Sequence, residues 1–303
     1  MKMCGVQAIA AGMLVAALGN SALAQQQDVQ IRTEKITDSV YVLFGQGGNI
    51  GLCVGEDGTF MIDDQYAPLT GKILAAIDEI TDRPVEFLVN THWHGDHVGG
   101  NENMAGEGAV IVAHENARQR MSTEQFSSTF NSTTPPSPAA ALPVITFTES
   151  MTFHYNGDDI NIFHVENAHT DGDGIVHFRN NNVFHMGDTF FNGMYPYIDV
   201  DAGGSINGII TAVGAVLDRA NGNSKIIPGH GPLSGVEELK AYRSMLIDIR
   251  DNVVAMMKAG KTKDEIIAAK PSAKYDEKMR GGFIKPEVLA NLVYEGLKRQ
   301  AHD

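Results

Sequence analysis

The sequence predicts an α/β chain in which two mixed β-sheets pack face to face with helices on the outside. Two observations predict it. Strand signals followed by helical periodicity occur twice along the chain, and several of these strands run into loops rich in His, Asp and Gly. No linker separates the two halves, so residues 25–303 read as a single domain ending in helices.

Residues 1–24 stand apart from that domain. Lys2 is the only charge before an apolar run from Val6 to Leu18, and Ala22-Leu23-Ala24 offers the small-x-small pattern that signal peptidase cuts. The run is short for a spanning helix and lacks a stop-transfer flank. A signal peptide removed after Ala24 is therefore expected, with a periplasmic or secreted location and no membrane attachment afterwards. Cys4 leaves with it, so Cys53 is the only cysteine of the mature chain and an intrachain disulfide is excluded. Its apolar setting, Ile50-Gly51-Leu52-Cys53-Val54, reads as a buried small side chain.

In the first half, apolar strands at 40–44, 50–54 and 59–62 are separated by Gly-rich turns, the pattern of an antiparallel meander. Leu69, Ile73, Leu74 and Ile77 then recur at helical spacing. A strand at 85–89 follows Pro84, and a strand at 109–113 precedes a helix at about 116–121. Residues 131–143 are rich in Ser, Thr and Pro and lack periodicity. They read as a loop, either a lid beside a site or a solvated connector. The second half gives strands at 145–147, 160–165, 175–178 and 183–186, a helix from about 205 to 219, and a strand at 225–227. Beyond it lie an apolar stripe over 236–257, a capping box Thr262-x-x-Glu265, and Pro286 at a first helical turn.

Charge narrows the partners. The chain carries a net charge of −14 and a sequence pI of about 5.1, without a basic patch. Such a surface repels phosphate backbones, which excludes nucleic acid and leaves a small-molecule substrate. The sequence carries no signal for an oligomeric state.

The densest chemistry is Thr91-His92-Trp93-His94-Gly95-Asp96-His97-Val98-Gly99-Gly100, directly after the strand at 85–89. Imidazole and carboxylate are the groups that zinc takes. On a strand, His92 and His94 would share a face. A turn at Gly95 would let Asp96 and His97 reach a neighbouring point, so one segment could serve two adjacent metals. Three later segments offer further ligands after strands: His169 in Asn167-Ala168-His169-Thr170-Asp171-Gly172, Asp188 in His185-Met186-Gly187-Asp188-Thr189, and His230 in Pro228-Gly229-His230-Gly231-Pro232.

In order and context, His92-x-His94-x-Asp96-His97, His169, Asp188 and His230 resemble the five motifs of the metallo-β-lactamase superfamily of hydrolases. The resemblance covers nearly the whole mature chain. It implies a four-layer αββα sandwich with the site at one edge and two zinc ions per chain. It gives His92, His94 and His169 to one metal and Asp96, His97 and His230 to the other, with Asp188 bridging or binding the second. Asp63 resembles the aspartate that supports the ligand loop in this family. His94 stands where flavodiiron relatives have Glu, which favours zinc. Asp188 stands where broad-acting β-lactamases have Cys or Ser, as in glyoxalase II-like thioesterases, lactonases and phosphodiesterases. Phe191 occupies the place of a lysine that often holds a β-lactam carboxylate.

The expected function is a zinc-dependent hydrolase whose metal-bridging hydroxide attacks an acyl carbonyl, with Asp96 as the catalytic residue that orients it. Export makes β-lactams the leading substrate class. Asp188 and Phe191 support the alternative, a thioesterase or lactonase. A further alternative is a periplasmic zinc-binding or redox-relay accessory protein. Phe190, Phe191, Tyr195 and Tyr197 would either wall the substrate pocket or pack in the core. Asp171 and Asp173 read as turn formers, and His114, His154, His164, His177 and His185 as surface or hydrogen-bonded residues.

Overall fold

Alternation along the strands sorts the apolar side chains into layers. The computed structural model describes residues 29–301, so the signal peptide expected at 1–24 lies outside the described residues. The first sheet is built from β1 (Arg32–Lys35), β2 (Val40–Phe44), β3 (Ile50–Gly55), β4 (Gly58–Ile62), β5 (Val85–Val89), β6 (Val110–His114) and β9 (Ile145–Phe147), in that spatial order. It is antiparallel from β1 to β4 and parallel from β4 to β9. The second sheet holds β10 (Ser150–Tyr155), β11 (Asp158–His164), β12 (Gly174–Phe178), β13 (Val183–His185), β14 (Lys225–Ile227) and β15 (Ser234–Gly235). Only β13 and β14 pair in parallel there. Between the two sheets in sequence, β7 (Gln125–Ser127) and β8 (Ser132–Thr134) form a separate hairpin.

The layers follow from neighbouring residues. Phe60 and Ile62 point between the sheets with Val40, Val42 and Val89, where they meet Ile160, Ile162, Val176 and Phe178. Met61, between them in sequence, points the other way. With Leu43, Leu52 and Leu88 it packs on Ile73 and Ile77 of α1 (Thr70–Asp78). The outer face of the second sheet, through Phe163, Ile175, Phe184 and Ile226, is covered by α5 (Ile206–Leu217), α6 (Val236–Lys258) and α8 (Pro286–Gln300). Burying Phe60 completely contributes on the order of 1.5–3 kcal/mol. The expected αββα order is present.

The remaining helices are short: α2 (Gly95–Val98), α3 (Asn101–Gly106), α4 (Glu115–Met121) and α7 (Lys263–Ala268). Thr262 caps α7 through the capping box read from the sequence. Sequence reasoning passed over β1, β7, β8 and β10. β1, β7 and β8 are short, mostly polar and largely exposed, so they lack the apolar signature on which strand recognition depends, whereas β10 carries a half-buried alternation of Met151, Phe153 and Tyr155 that the sequence reading overlooked. Residues 131–143 are correspondingly not wholly irregular, because 132–134 pair with 125–127 and 139–141 make a turn of 3₁₀ helix.

Candidate metal centre

The carboxyl ends of β4, β5, β11, β13 and β14 lie at one edge of the sandwich, and each runs into a loop that carries one of the predicted residues. All seven predicted donors are brought together. His92, His94, His169 and Asp188 form one group, and Asp96, His97 and His230 form a second. In the first, His94 Nδ1 lies 3.1 Å from His92 Nε2 and 2.9 Å from His169 Nε2. In the second, His230 Nε2 lies 3.4 Å from His97 Nε2 and 3.2 Å from Asp96 Oδ2.

Asp188 joins the groups. Its Oδ2 lies 3.9 Å from His92 Nε2 and 3.6 Å from His169 Nε2, while its Oδ1 lies 3.1 Å from His97 Nε2 and 3.4 Å from His230 Nε2. Two backbone features allow it to sit there. Gly187 has a φ of +49, which takes the chain sharply out of β13. Gly229 leaves room for the carboxylate, since a Cβ there would lie 2.0 Å from Asp188 Oδ1.

The local backbone differs from the strand expected for His92 and His94. Strand β5 ends at Val89, the following residues bend, and His94 caps α2. Gly95 opens that helix without a left-handed turn. The two imidazoles still converge, while Trp93 between them packs with Val98, Ala117 and Met121.

A buried partner fixes the proton on four of the rings, and that decides what each presents inward. His169 Nδ1 donates to the Tyr197 carbonyl at 2.9 Å, so its Nε2 carries a lone pair toward the group. Asp199 Oδ2 accepts from His94 Nε2 at 2.8 Å, which leaves His94 Nδ1 free of a proton. Asp63 serves two rings. Its Oδ2 accepts from His97 Nδ1 at 2.7 Å and from Thr91 Oγ1 at 2.8 Å, while its Oδ1 accepts from the Thr91 amide. Thr91 Oγ1 in turn accepts from His92 Nδ1 at 3.0 Å.

This arrangement fits metal ions and fits little else. Lone pairs of three rings face one another at hydrogen-bond distance in the first group, with no donor among them. Burial and the adjoining rings hold His92 well below its usual range, and burial brings His169 down to about 4. At the second group burial opposes protonation, yet the carboxylates outweigh it. Asp188 and Asp96 hold His97 well above its usual range, and His230 rises to about 9. Asp188 Oδ1 is buried and accepts no well-formed hydrogen bond. An orphaned anionic oxygen facing the His97 and His230 imidazoles, on a carboxylate whose other oxygen faces His92 and His169, fits a metal ligand.

The structure decides between the roles open to several other side chains. Tyr197 lines the cleft above the donors, but Phe190, Phe191 and Tyr195 are core residues. Phe191 stacks on the His230 ring at 5.2 Å. Asp173 does more than turn the chain: it accepts from the amides of His169 and Thr170 and from Thr170 Oγ1, and burial pushes it up to about 7. Asp171 holds Arg120 through Nε and Nη2. His185 hydrogen-bonds the Asn49 carbonyl, and Asn49 Nδ2 donates to the carbonyls of Pro228 and Gly231. The Gly48–Asn49 turn thereby clamps the His230 loop. Cys53 is fully buried between the sheets, as expected, and burial raises its thiol to about 11.

Asp199 was not foreseen. It lies 105 residues from His94 in a stretch without periodicity, and only the folded chain brings the two together. Missed for the same reason were Tyr66, Phe130 and Phe283, which line a cleft of about 420 Å³ over the donors.

Comparison with known proteins agrees with this geometry. A beta-lactamase-like protein 2 homolog from Caenorhabditis elegans is 33% identical over 85 residues, which is 24% of this chain and only 28% of that relative. A metallo-beta-lactamase from Pontibacter korlensis superposes with a TM-score of 0.59 at 20% identity, over 72% of this chain and all of that one. A stereoselective inverting sec-alkylsulfatase from Pseudomonas sp. gives 0.65 at 16% identity, over 90% of this chain and 51% of that one. At these identities the solved structures share the fold. The family model described as the metallo-beta-lactamase superfamily matches residues 43–230, from β2 to the last of the donor histidines, and the chain therefore belongs to that superfamily of metal-dependent hydrolases.

Proposed function

We propose that the chain binds two divalent ions, zinc in the cell, and hydrolyses an acyl bond of a small molecule in the cleft above them. The observation that carries this reading is Asp188, one carboxylate whose two oxygens face separate imidazole sets. His92, His94 and His169 would hold the first ion, and Asp96, His97 and His230 the second. Divalent metal bound there supplies Lewis acidity and lowers the pKa of water from 15.7 to roughly 7. The remaining tasks fall to the chain. Asp96 lines the cleft, and His97 and His230 overcome its burial and bring it down to about 2. It therefore stays ionised and accepts a hydrogen bond from water, which aims that water at a carbonyl. Tyr66, kept protonated by burial and by the charge of Asp96, offers a donor on the same cleft. Cys53 is shut in the core, so it offers no competing nucleophile.

The test is turnover of nitrocefin, a lactone and a thioester by zinc-loaded chain, with and without a chelator. Chelator-sensitive hydrolysis of at least one is expected. Two bound metals with no turnover on any of the three would replace this reading by that of a metal-binding accessory protein.

Acid should empty the two groups in sequence. Protons compete with metal for the same nitrogens, so affinity falls as pH drops through each metal-free pKa. For His230 that value is about 9, whereas His169 resists protonation until about 4. Metal is expected to leave the Asp96–His97–His230 group first on acidification and the His92–His94–His169 group last. Metal content after dialysis at stepped pH checks this. Loss of both ions in one step would contradict it.

A further inference from the structure

We infer that the cleft selects uncharged substrates with apolar groups on both sides of the scissile bond, and discriminates against those bearing a carboxylate, sulfate or phosphate. This rests on the proposed acyl hydrolysis and narrows it to neutral esters and lactones.

Charge is the first argument. Among the described residues no Lys or Arg lines the cleft, and these are the side chains favoured for holding carboxylate, sulfate and phosphate groups. Cations close in sequence to residues of the cleft include Arg120, Arg280 and Lys285. Arg120 is bound by Asp171, and Arg280 lies 3.7 Å from Glu277. Neither they nor Lys285 line the cleft. Phe191, where the sequence resemblance would place an anion-holding lysine, is fully buried. Asp63, Asp96, Asp188 and Asp199 all contact the donor imidazoles, so the floor of the cleft carries four carboxylates.

Shape is the second argument. Two of the few large apolar side chains exposed in the described residues flank this cleft, Phe130 at 51% and Phe283 at 55%. Phe130, on the loop of the β7–β8 hairpin, lies 5.0 Å from Tyr197, whose ring stands 5.7 Å from both His94 and His169. Phe283 lies 6.5 Å from the ring of His230. Each donor group thus has its own aromatic wall. The Phe130 wall is anchored, because the amide and hydroxyl of Ser128 both donate to Asp201 and Ser127 Oγ reaches Tyr197 Oη at 3.3 Å. Exposed aromatic rings on opposite sides of a site are stabilised by a ligand that buries both.

The test uses 3-(4-acetoxyphenyl)propionate and its primary amide, which share the acetyl group and the para-alkylphenol ester bond and differ by one charge on the side chain of the leaving phenol. With zinc-loaded chain, kcat/KM for the amide is expected to exceed that for the acid at least tenfold, and Phe283→Arg should reduce that ratio severalfold with zinc content unchanged. Binding gives a readout apart from turnover. Trp93 is the only tryptophan in the chain and lines the cleft, so its fluorescence reports occupancy. The non-hydrolysable ketone analogues of the two esters should titrate Trp93 with the neutral compound binding the tighter. Equal or preferential use of the acid, or equal binding of the ketones, would overturn the inference. Selective binding of the neutral ketone without hydrolysis of either ester would uphold it and sink the proposed acyl hydrolysis instead.

Discussion

Asp188→Asn is expected to leave the chain folded, lower its metal content from two ions to one, and reduce hydrolysis by more than about a hundredfold. Asparagine fills the same volume, so the packing around Gly187 and Gly229 is kept. What changes is charge and donor character. One of two acceptor oxygens becomes an NH₂ group, which cannot ligate and which turns a donor toward an imidazole nitrogen. The charge removed lies 3.1 and 3.4 Å from the nitrogens of His97 and His230. A unit charge about 4 Å from another is worth about 4 kcal/mol at an effective dielectric of 20, roughly three decades in affinity. Altered partners outside a metal's own ligands typically cost only 10–100-fold. The Asp96–His97–His230 group should lose its ion first, since Asp188 Oδ1 lies 3.1 and 3.4 Å from its nitrogens, whereas Oδ2 lies 3.6 and 3.9 Å from those of the other group. Elemental analysis after dialysis against buffered zinc measures the loss, and circular dichroism in chelator shows whether the fold is retained. Two ions retained with near-normal turnover would remove Asp188 from the centre.

The same residue shows why much of the site was legible in the sequence. Ligand types are few, and they stand just beyond strands that announce themselves as apolar runs because both faces of each sheet are buried. Val85–Val89 before His92 and Lys225–Ile227 before His230 are such runs. A sequence can therefore offer the donors and even their pairing by segment. It cannot supply what lies beside them through space. Asp199 touches His94 across 105 residues, and Phe283 reaches the cleft from beyond α6 and α7. Neither belongs to a periodic pattern or a spaced motif, so only the fold assigns them. The hairpin carrying Phe130 was invisible for a different reason. Its strands are three residues long and polar, and they pair only with each other. Four aromatic residues after Asp188 pulled the other way. They look alike in sequence, yet Tyr197 faces the cleft while Phe190, Phe191 and Tyr195 complete the core beneath α6.

Asp63→Asn should weaken metal binding in both donor groups at once, although Asp63 itself ligates nothing. Its backbone has a φ of +59, a conformation that asparagine accepts better than most residues, so the turn after β4 should survive. The hydrogen-bond pattern should not. The carboxylate accepts three donors: the Thr91 amide through Oδ1, and Thr91 Oγ1 and His97 Nδ1 through Oδ2. With the amide oxygen kept on the Thr91 amide, the new NH₂ group faces Thr91 Oγ1 and His97 Nδ1. His97 can accept that bond only by moving its own proton to Nε2, the nitrogen that faces Asp188 and Asp96. Thr91 Oγ1, now accepting from residue 63, turns its proton toward His92 Nδ1 and drives that ring's proton to Nε2 as well. One substitution so places a proton on a donor nitrogen of each group. The opposite flip, with NH₂ on the Thr91 amide, sets two donors against each other in a fully buried site and costs about 1–3 kcal/mol of stability. By the cost usual for such supporting partners, each group should lose about 10–100-fold in zinc affinity. Competition with a chromophoric zinc chelator would resolve the two affinities, and nitrogen NMR of the histidine rings would show the exchanged tautomers directly. Loss confined to the Asp96–His97–His230 group would mean that Thr91 does not relay the constraint to His92, and the chain from Asp63 through Thr91 would have to be given up.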